Sequence, residues 1–205
     1  MKLLKALLAG TIALSITSCF GPNLIYKKEM PKFTPIEGKA RIVIIRPVPS
    51  FSITMGGTSD PNYLIAAVFA DVKYMSETYK STVISFPVEP GERYIFSKIP
   101  GFGMHPTGKV KFNCQAGKVY YLEEKVQVSK TPVGEVQACL LDPISIDEAN
   151  KLLAEKKDLQ YAEFDATKPG KDIDEKEFKS LQEDYAKWAA KKPEDAKKES
   201  DYPGY

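Results

Sequence analysis

The chain has 205 residues, and its 29 Lys and Arg residues nearly balance its 27 Asp and Glu residues. The resulting net charge of +2 is small and the basic residues are scattered, so the composition argues against a nucleic-acid partner. The length suits one domain with some appendages.

The first 18 residues are arranged like a leader peptide. Lys2 and Lys5 precede the apolar stretch Ala6–Ser18, which is shorter than the roughly 20 residues that a membrane-spanning helix needs. Small residues then lead directly to Cys19. This order resembles a bacterial lipoprotein signal peptide, which implies cleavage before Cys19 and acylation of its thiol. A plain secretory leader and a buried N-terminal helix are the alternatives.

The lipoprotein resemblance predicts where the protein is located. More than one acyl chain on Cys19 would hold it stably at a membrane, since a single chain binds only weakly. Phe20 follows the cysteine, and the resemblance implies that a residue other than Asp at this place favours the outer membrane of a Gram-negative cell. Membrane lipid is therefore the expected partner, and an envelope protein is a further candidate.

Residues 19–38 are predicted to form a tether. Pro22, Pro31 and Pro35 interrupt any regular pattern there, and prolines favour an extended chain. Such a spacer would lift the domain off the lipid surface, although Leu24–Tyr26 could still pack onto it.

Residues 39–142 show the pattern of an all-β domain. Short β-branched and aromatic runs alternate with Gly- and Pro-containing turns at about 8–12-residue spacing. The pattern predicts an antiparallel sandwich, Ig-like or transthyretin-like, with short C-terminal α-helices. The predicted strands lie near 40–46, 64–70, 73–75, 82–86, 93–97, 109–114, 118–128 and 135–141.

Two helices are predicted after Pro143. Ser145 and Glu148 have the spacing of a capping box, and the apolar residues that follow have helical periodicity. A second helix begins at Asp174 and carries an apolar stripe from Phe178 to Trp188. The stripe either docks on the β domain or binds a partner. The charged end, 191–205, is predicted to be mobile.

Cys114 and Cys139 are the cysteines besides Cys19, and an oxidising compartment permits a disulfide between them. In a plain meander, however, Cys139 would face about Val126, roughly 26 Å along the strand from the turn beside Cys114. A disulfide needs Cα atoms within about 7 Å. A bridge therefore requires a bent strand or hairpins in different sheets, and a pair of buried free thiols is the alternative.

No pattern of catalytic, metal-binding or cofactor-binding residues is evident. His105 is the single histidine and lacks the spacing of a zinc site. Glu123 and Glu124 cannot act as a glycosidase pair, because neighbours on a strand face opposite sides. We therefore predict no enzyme activity, metal or cofactor. The alternative is an envelope hydrolase or metal-dependent enzyme whose site residues are dispersed along the chain.

Two long connections, 51–63 and 98–108, are candidates for binding, because binding residues are often found on loops. The second contains Ile99, Phe102 and Met104. These side chains either contact a ligand or partner, or fold back to seal one end of the sandwich.

Three short motifs resemble the DUF2846 domain, a small β-sandwich of unknown function that is common in bacterial lipoproteins. They are Ile44–Pro47, Val88–Glu92 and Ala116–Tyr121, and the likeness extends over residues 39–128. No catalytic residue comes with it. The chain departs from the family at Asp71–Val72, where an Asp-Gly turn is usual; valine tolerates a positive φ poorly, so this turn must be longer or of another type.

These observations predict a lipid-anchored cell-envelope protein that acts as a binding or scaffolding module. The predicted organisation is a signal peptide at 1–18, a tether at 19–38, a β-sandwich at 39–142, helices at 143–190 and a mobile tail at 191–205.

Overall fold

The computed structural model describes residues 23–47, 64–99, 107–131, 134–165, 167–168 and 170–205, and between 128 and 137 it describes the backbone alone. Cys19, His105 and the connection 51–63 lie outside the described residues. The predictions about them therefore remain predictions.

The described elements are ten strands and three helices. In chain order they are β1 (Leu24–Tyr26), β2 (Ala40–Arg46), β3 (Ala66–Ala70), β4 (Lys73–Thr78), β5 (Thr82–Val88), β6 (Gly91–Lys98), β7 (Gly108–Cys114), β8 (Val119–Thr131), β9 (Gly134–Pro143), α1 (Ile146–Glu155), β10 (Gln160–Phe164), α2 (Glu175–Lys191) and α3 (Pro193–Ser200). One sheet has the order β1-β10-β5-β2-β8-β9, and the other has the order β4-β3-β6-β7.

The prediction of a mainly β sandwich is confirmed, and all eight predicted strands are present. Most neighbouring strands are antiparallel, but β2 pairs with β8 and β5 pairs with β10 in parallel. The chain is therefore not a plain meander: β7 and β8 follow one another in sequence and belong to different sheets. The short strands β1 and β10 were not predicted.

Alternation along the strands builds the core between the two sheets. In β2, Ala40, Ile42 and Ile44 are fully buried and join the inter-sheet core. Val43 and Ile45 point to the opposite face, where they are buried in a second cluster together with Ala149 of α1. A strand buried on both faces is a continuous apolar run, which explains the sequence of β2.

The outer face of the four-stranded sheet is covered by α2. Phe178 makes edge-to-face contacts with Tyr94 and Phe96 at ring-centroid distances of 6.0 and 5.9 Å. Tyr185 is buried and meets Tyr94 at 5.6 Å. The stripe from Phe178 to Trp188 therefore docks on the β domain, as predicted.

Both predicted helix starts are confirmed. Ser145 caps α1 by accepting a hydrogen bond from the Glu148 N–H at 3.2 Å, and the Glu148 carboxylate accepts one from the Ser145 N–H at 2.8 Å. Asp174 caps α2 by accepting a bond from the Glu177 N–H at 2.8 Å. Each cap satisfies a backbone donor that has no partner within its helix.

The prediction of a mobile tail at 191–205 is wrong. Residues 193–200 form α3, and the last residue pairs with a strand: the Tyr205 N–H donates to the Val119 carbonyl at 2.9 Å, and the Val119 N–H donates to the Tyr205 carbonyl at 2.7 Å. Tyr202 lies against Phe112 and Tyr120. The charged residues of this region form α3. Two tyrosines after it, Tyr202 and Tyr205, make the apolar contacts that hold the chain end on the domain.

The tether prediction is also wrong for the part that the structure describes. Leu24 packs against the inter-sheet core, and its strand β1 pairs with β10. Phe33 makes edge-to-face contacts with Tyr121 at 6.5 Å and with Tyr161 at 5.8 Å. Residues 23–38 therefore lie on the domain, because their apolar side chains find partners there.

The turn at Asp71–Val72 is short and of another type than Asp-Gly. It joins β3 to β4 with two residues, and the positive φ of 52° falls on Asp71, not on the valine. The Asp71 side chain accepts a hydrogen bond from the Tyr94 N–H at 3.0 Å. Aspartate adopts this backbone conformation more readily than a β-branched residue does.

Candidate functional site

Four polar side chains are buried together at one end of the sandwich: Arg46, Thr78, Ser97 and Glu124. We call them the polar cluster. Their exposed fractions are 3%, 0%, 0% and 1%. Arg46 and Glu124 belong to the six-stranded sheet, whereas Thr78 and Ser97 belong to the four-stranded sheet. The cluster therefore crosses the interface between the sheets.

Alternation places the two charged members of the cluster inside. Arg46 lies two residues beyond Ile44 on β2, and Glu124 lies two residues beyond Leu122 on β8. Ile44 and Leu122 both belong to the inter-sheet core, and residues i and i+2 of a strand share a face. Glu123 points the other way, as predicted, and pairs with Lys125 at 3.0 Å.

The Glu124 carboxylate has a partner on each oxygen. Thr78 Oγ1 donates to Oε2, and Ser97 Oγ donates to Oε1. Arg46 Nη1 lies 3.8 Å from Oε2 and donates to the Thr78 carbonyl at 3.2 Å. The Glu124 carboxylate on β8 thus links the strands β2, β4 and β6, which carry the other three side chains.

This arrangement suits a structural role. A buried ion pair contributes little net stability by itself, but removing one partner leaves a charge without compensation. The four side chains are almost completely buried. The hydroxyls of Thr78 and Ser97 link the second sheet to Glu124, so the cluster sets how the two sheets meet.

The thiol of Cys139 lies near the polar cluster. Burial, followed by the negative charge of Glu124, raises the pKa of Cys139 to about 12. Burial also raises the pKa of Cys114 to about 12. Thiolates are the nucleophilic form of cysteine, so burial disfavours the reactive form of both side chains.

The structure leaves Cys114 and Cys139 as free, buried thiols and does not form the bridge between them. Cys139 does face Val126, as expected from the hairpin. A Cβ added to Gly108 would lie 3.2 Å from the Cys139 backbone, which places Cys139 beside the start of β7. Cys114 is at the other end of that strand, about 20 Å away at 3.3 Å per residue, and a disulfide cannot span this distance.

The two long connections leave the sandwich at the end that holds the polar cluster, because β2 and β6 end there and β3 and β7 begin there. Within the second connection, Ile99 is only 4% exposed and packs with Ala66, Val126 and Cys139. It therefore folds back to seal the sandwich end. Phe102 and Met104 lie outside the described residues.

In the ranges that the structure covers, no group of three or more His, Cys, Asp and Glu side chains is placed to hold a metal ion. None of the helices described here combines the length and the hydropathy that crossing a membrane requires.

A shallow depression of about 390 Å³ lies beside α3. Its lining mixes Lys197 and Lys198 with Glu194 and Asp201, and Tyr202 and Pro203 complete it. Alternating charges on an open surface favour no particular ligand, so we assign it no binding role.

Comparison of the chain with models of known protein families, with curated proteins and with solved structures gives no match.

The polar cluster was missed in the sequence although its signal is present. Arg46 and Glu124 continue the buried alternation of Ile42–Ile44 and Tyr120–Leu122. A charge at an inward position of a core strand predicts a buried partner. Applying the same alternation to the polar side chains of β2 and β8 would have found both residues, but it would not have paired them with Thr78 and Ser97.

Proposed function

We propose that this chain is a lipid-anchored cell-envelope protein whose β-sandwich acts as a binding or scaffolding module. The observation that carries the proposal is the order of basic, apolar and small residues that ends at Cys19, four residues before a domain that is folded from Asn23 onward. Acylation of Cys19 would attach this domain to a membrane without a spanning helix.

The described chemistry supports a non-catalytic role. The buried Glu124 accepts hydrogen bonds from Thr78 and Ser97, and Arg46 lies 3.8 Å from its carboxylate inside the sandwich. Cys114 and Cys139 are enclosed, and the pKa of each thiol is raised to about 12. Groups of this kind stabilise a fold, whereas catalytic groups need access to a substrate.

The DUF2846 likeness and the outer membrane location are parts of the same proposal. The three motifs lie at strand ends and turns: Ile44–Pro47 ends β2, Val88–Glu92 joins β5 to β6, and Ala116–Tyr121 joins β7 to β8. Gly91 and Gly117 have positive φ values of 105° and 72°, as turns of this kind require. Phe20 after the cysteine supports the outer membrane in a cell that has one.

Metabolic labelling with an acyl-chain analogue tests the proposal. We expect Cys19→Ala to lose the label, to remain uncut and to keep the full precursor mass. The matched control is Cys114→Ala, which removes another thiol and should leave labelling unchanged. A Cys19→Ala protein that still carries the label, or a wild-type protein that never does, would refute the anchor. Affinity capture from solubilised membranes would then identify the bound partner.

A further inference from the structure

Exposed apolar side chains are concentrated at one place on the domain. Among the described residues, four large hydrophobic side chains are exposed: Ile25 at 46%, Tyr26 at 42%, Leu140 at 38% and Met30 at 36%. Three of them lie within residues 25–30. Single exposed hydrophobic residues are ordinary, whereas a group of them marks an interaction surface.

The group lies on an edge of the six-stranded sheet. β1 is the outermost strand and pairs only with β10 among the described strands. Residues 24–32, which we call the edge segment, also contain Lys27, Lys28 and Lys32 against the single acid Glu29. The nearby carboxylate of Glu163 is neutralised by Lys27 at 2.7 Å. The edge segment is therefore both apolar and slightly basic.

The position of the edge segment relative to Cys19 restricts what can cover it. Asn23, which opens the described chain, is four residues after Cys19. Four residues span at most about 14 Å even when fully extended. The polar headgroup region on each side of a bilayer is roughly 5–8 Å thick. An acyl chain on Cys19 would thus hold the start of β1 close to the headgroups.

From this placement we infer that the edge segment is a membrane-contact surface. Ile25 and Tyr26 lie on opposite faces of β1 and flank the sheet edge. With this edge down on the bilayer, they and Met30 enter the interfacial region, and Lys28 and Lys32 meet anionic headgroups. Aromatic side chains favour this region, and basic residues near a membrane surface are attracted to anionic lipids. The domain then rests with its β1 edge on the membrane, and the sandwich end with the two long connections lies to one side.

A second polypeptide strand paired to β1 is the competing occupant, because edge strands offer free backbone groups. Two observations favour lipid. Lys27 and Lys28 follow directly after β1, and lysines at a sheet edge oppose strand pairing. The apolar group is also the part of the described surface that is nearest in sequence to the proposed anchor.

This inference rests on the proposed acylation of Cys19, and its test separates the two. Trp188 is the only tryptophan, so a Trp188→Phe protein can carry one reporter elsewhere. Tyr26→Trp places the reporter in the edge segment. Leu140→Trp is the matched control, because Leu140 is similarly exposed on β9, at the opposite edge of the sheet and about 24 Å away across five strand spacings.

Both full-chain, acylated proteins would be reconstituted into vesicles of phosphatidylcholine with phosphatidylglycerol, with and without bromine on the acyl chains. We expect brominated lipid to quench the fluorescence of the Tyr26→Trp reporter strongly and that of the Leu140→Trp reporter little. Equal quenching of the two reporters in vesicle-bound protein would overturn the inference. So would an unquenched Tyr26→Trp reporter together with crosslinked dimers, which would assign the edge to a second copy.

A measurement on the wild-type protein keeps the inference testable if a reporter fails to fold. Amine-reactive labelling should modify Lys28 and Lys32 less on these vesicles than in detergent, with Lys187 on α2 unchanged as the control. Unprotected Lys28 and Lys32 on vesicle-bound protein would count against membrane contact. Failure of the proposed anchor has a different signature, because the protein would then carry no acyl label and would not sediment with vesicles.

Discussion

Replacing Glu124 with glutamine tests how much the polar cluster contributes to stability. Glutamine has almost the same shape and keeps one oxygen for a hydroxyl donor, so the main change is the loss of the negative charge. Arg46, 3.8 Å away and 3% exposed, then has no compensating carboxylate from β8. Breaking a buried pair in this way typically costs about 3–5 kcal/mol.

We expect Glu124→Gln to lower the free energy of unfolding by about 3 kcal/mol, the low end of that range, because the amide still satisfies one of the two hydroxyls. Domains are stable by only about 5–15 kcal/mol, so urea denaturation resolves the change. Glu123→Gln is the matched control. The carboxylate of Glu123, the sequence neighbour of Glu124, pairs with Lys125, whose side chain is 44% exposed. Such a surface pair contributes less than about 1 kcal/mol.

A double-mutant cycle shows whether the cost comes from the pair itself. Arg46→Met removes the charge that Glu124→Gln leaves behind, so the double variant should be more stable than the sum of the single effects predicts, by at least about 1 kcal/mol. The reasoning is refuted if Glu124→Gln costs no more than Glu123→Gln. It is also refuted if the two single effects simply add, since the charges would then be compensated by other groups.

Two further predictions concern the C-terminal elements. Burial raises the pKa of Glu199 from 4.5 to about 7, even though the Tyr185 hydroxyl donates to it at 3.1 Å. The folded state thus holds a proton that the unfolded state releases, so the free energy of unfolding should fall as pH rises from 4.5 to 7. Because solvent partly screens this carboxyl group, we expect a fall of about 1–2 kcal/mol. In a urea titration series Glu199→Gln should abolish this fall, and an identical slope in the variant would contradict the assignment. Gly204 has a φ of +59°, and an added Cβ would lie 2.8 Å from the Tyr120 ring, so Gly204→Ala should lower the thermal midpoint by an amount equivalent to about 2–3 kcal/mol. Gly117→Ala, with a φ of +72° and open space around its Cβ, should cost only about 1 kcal/mol; equal losses would show that the contact with Tyr120 is unimportant.

The membrane inference changes how the region after Cys19 is understood. Its prolines predicted a spacer, but Leu24 and Phe33 pack onto the domain. A short connection and an exposed apolar edge together imply a fixed orientation on the membrane, whereas a long tether would allow many. A partner would then have to approach from the faces that point away from β1.

Local sequence patterns predicted an element correctly where the interactions that form it are made between residues close together in the chain. The β-branched run of β2 and the capping residues Ser145 and Asp174 predicted elements that the structure contains. The apolar stripe on α2 predicted its contact with the β domain for the same reason, since an amphipathic helix must bury one face. Pairing between distant strands has no such local signal.

By itself the sequence determined the strands β2–β9, the starts of α1 and α2, and the motif at Cys19. Only the tertiary structure decided which strands share a sheet, and this separated Cys114 from Cys139 and brought Thr78 and Ser97 to Glu124. The physical reason is that alternation and capping act over a few residues, whereas the parallel pairing of β2 with β8 joins segments almost 80 residues apart. That pairing is selected by the packing of the whole core, which no short segment encodes.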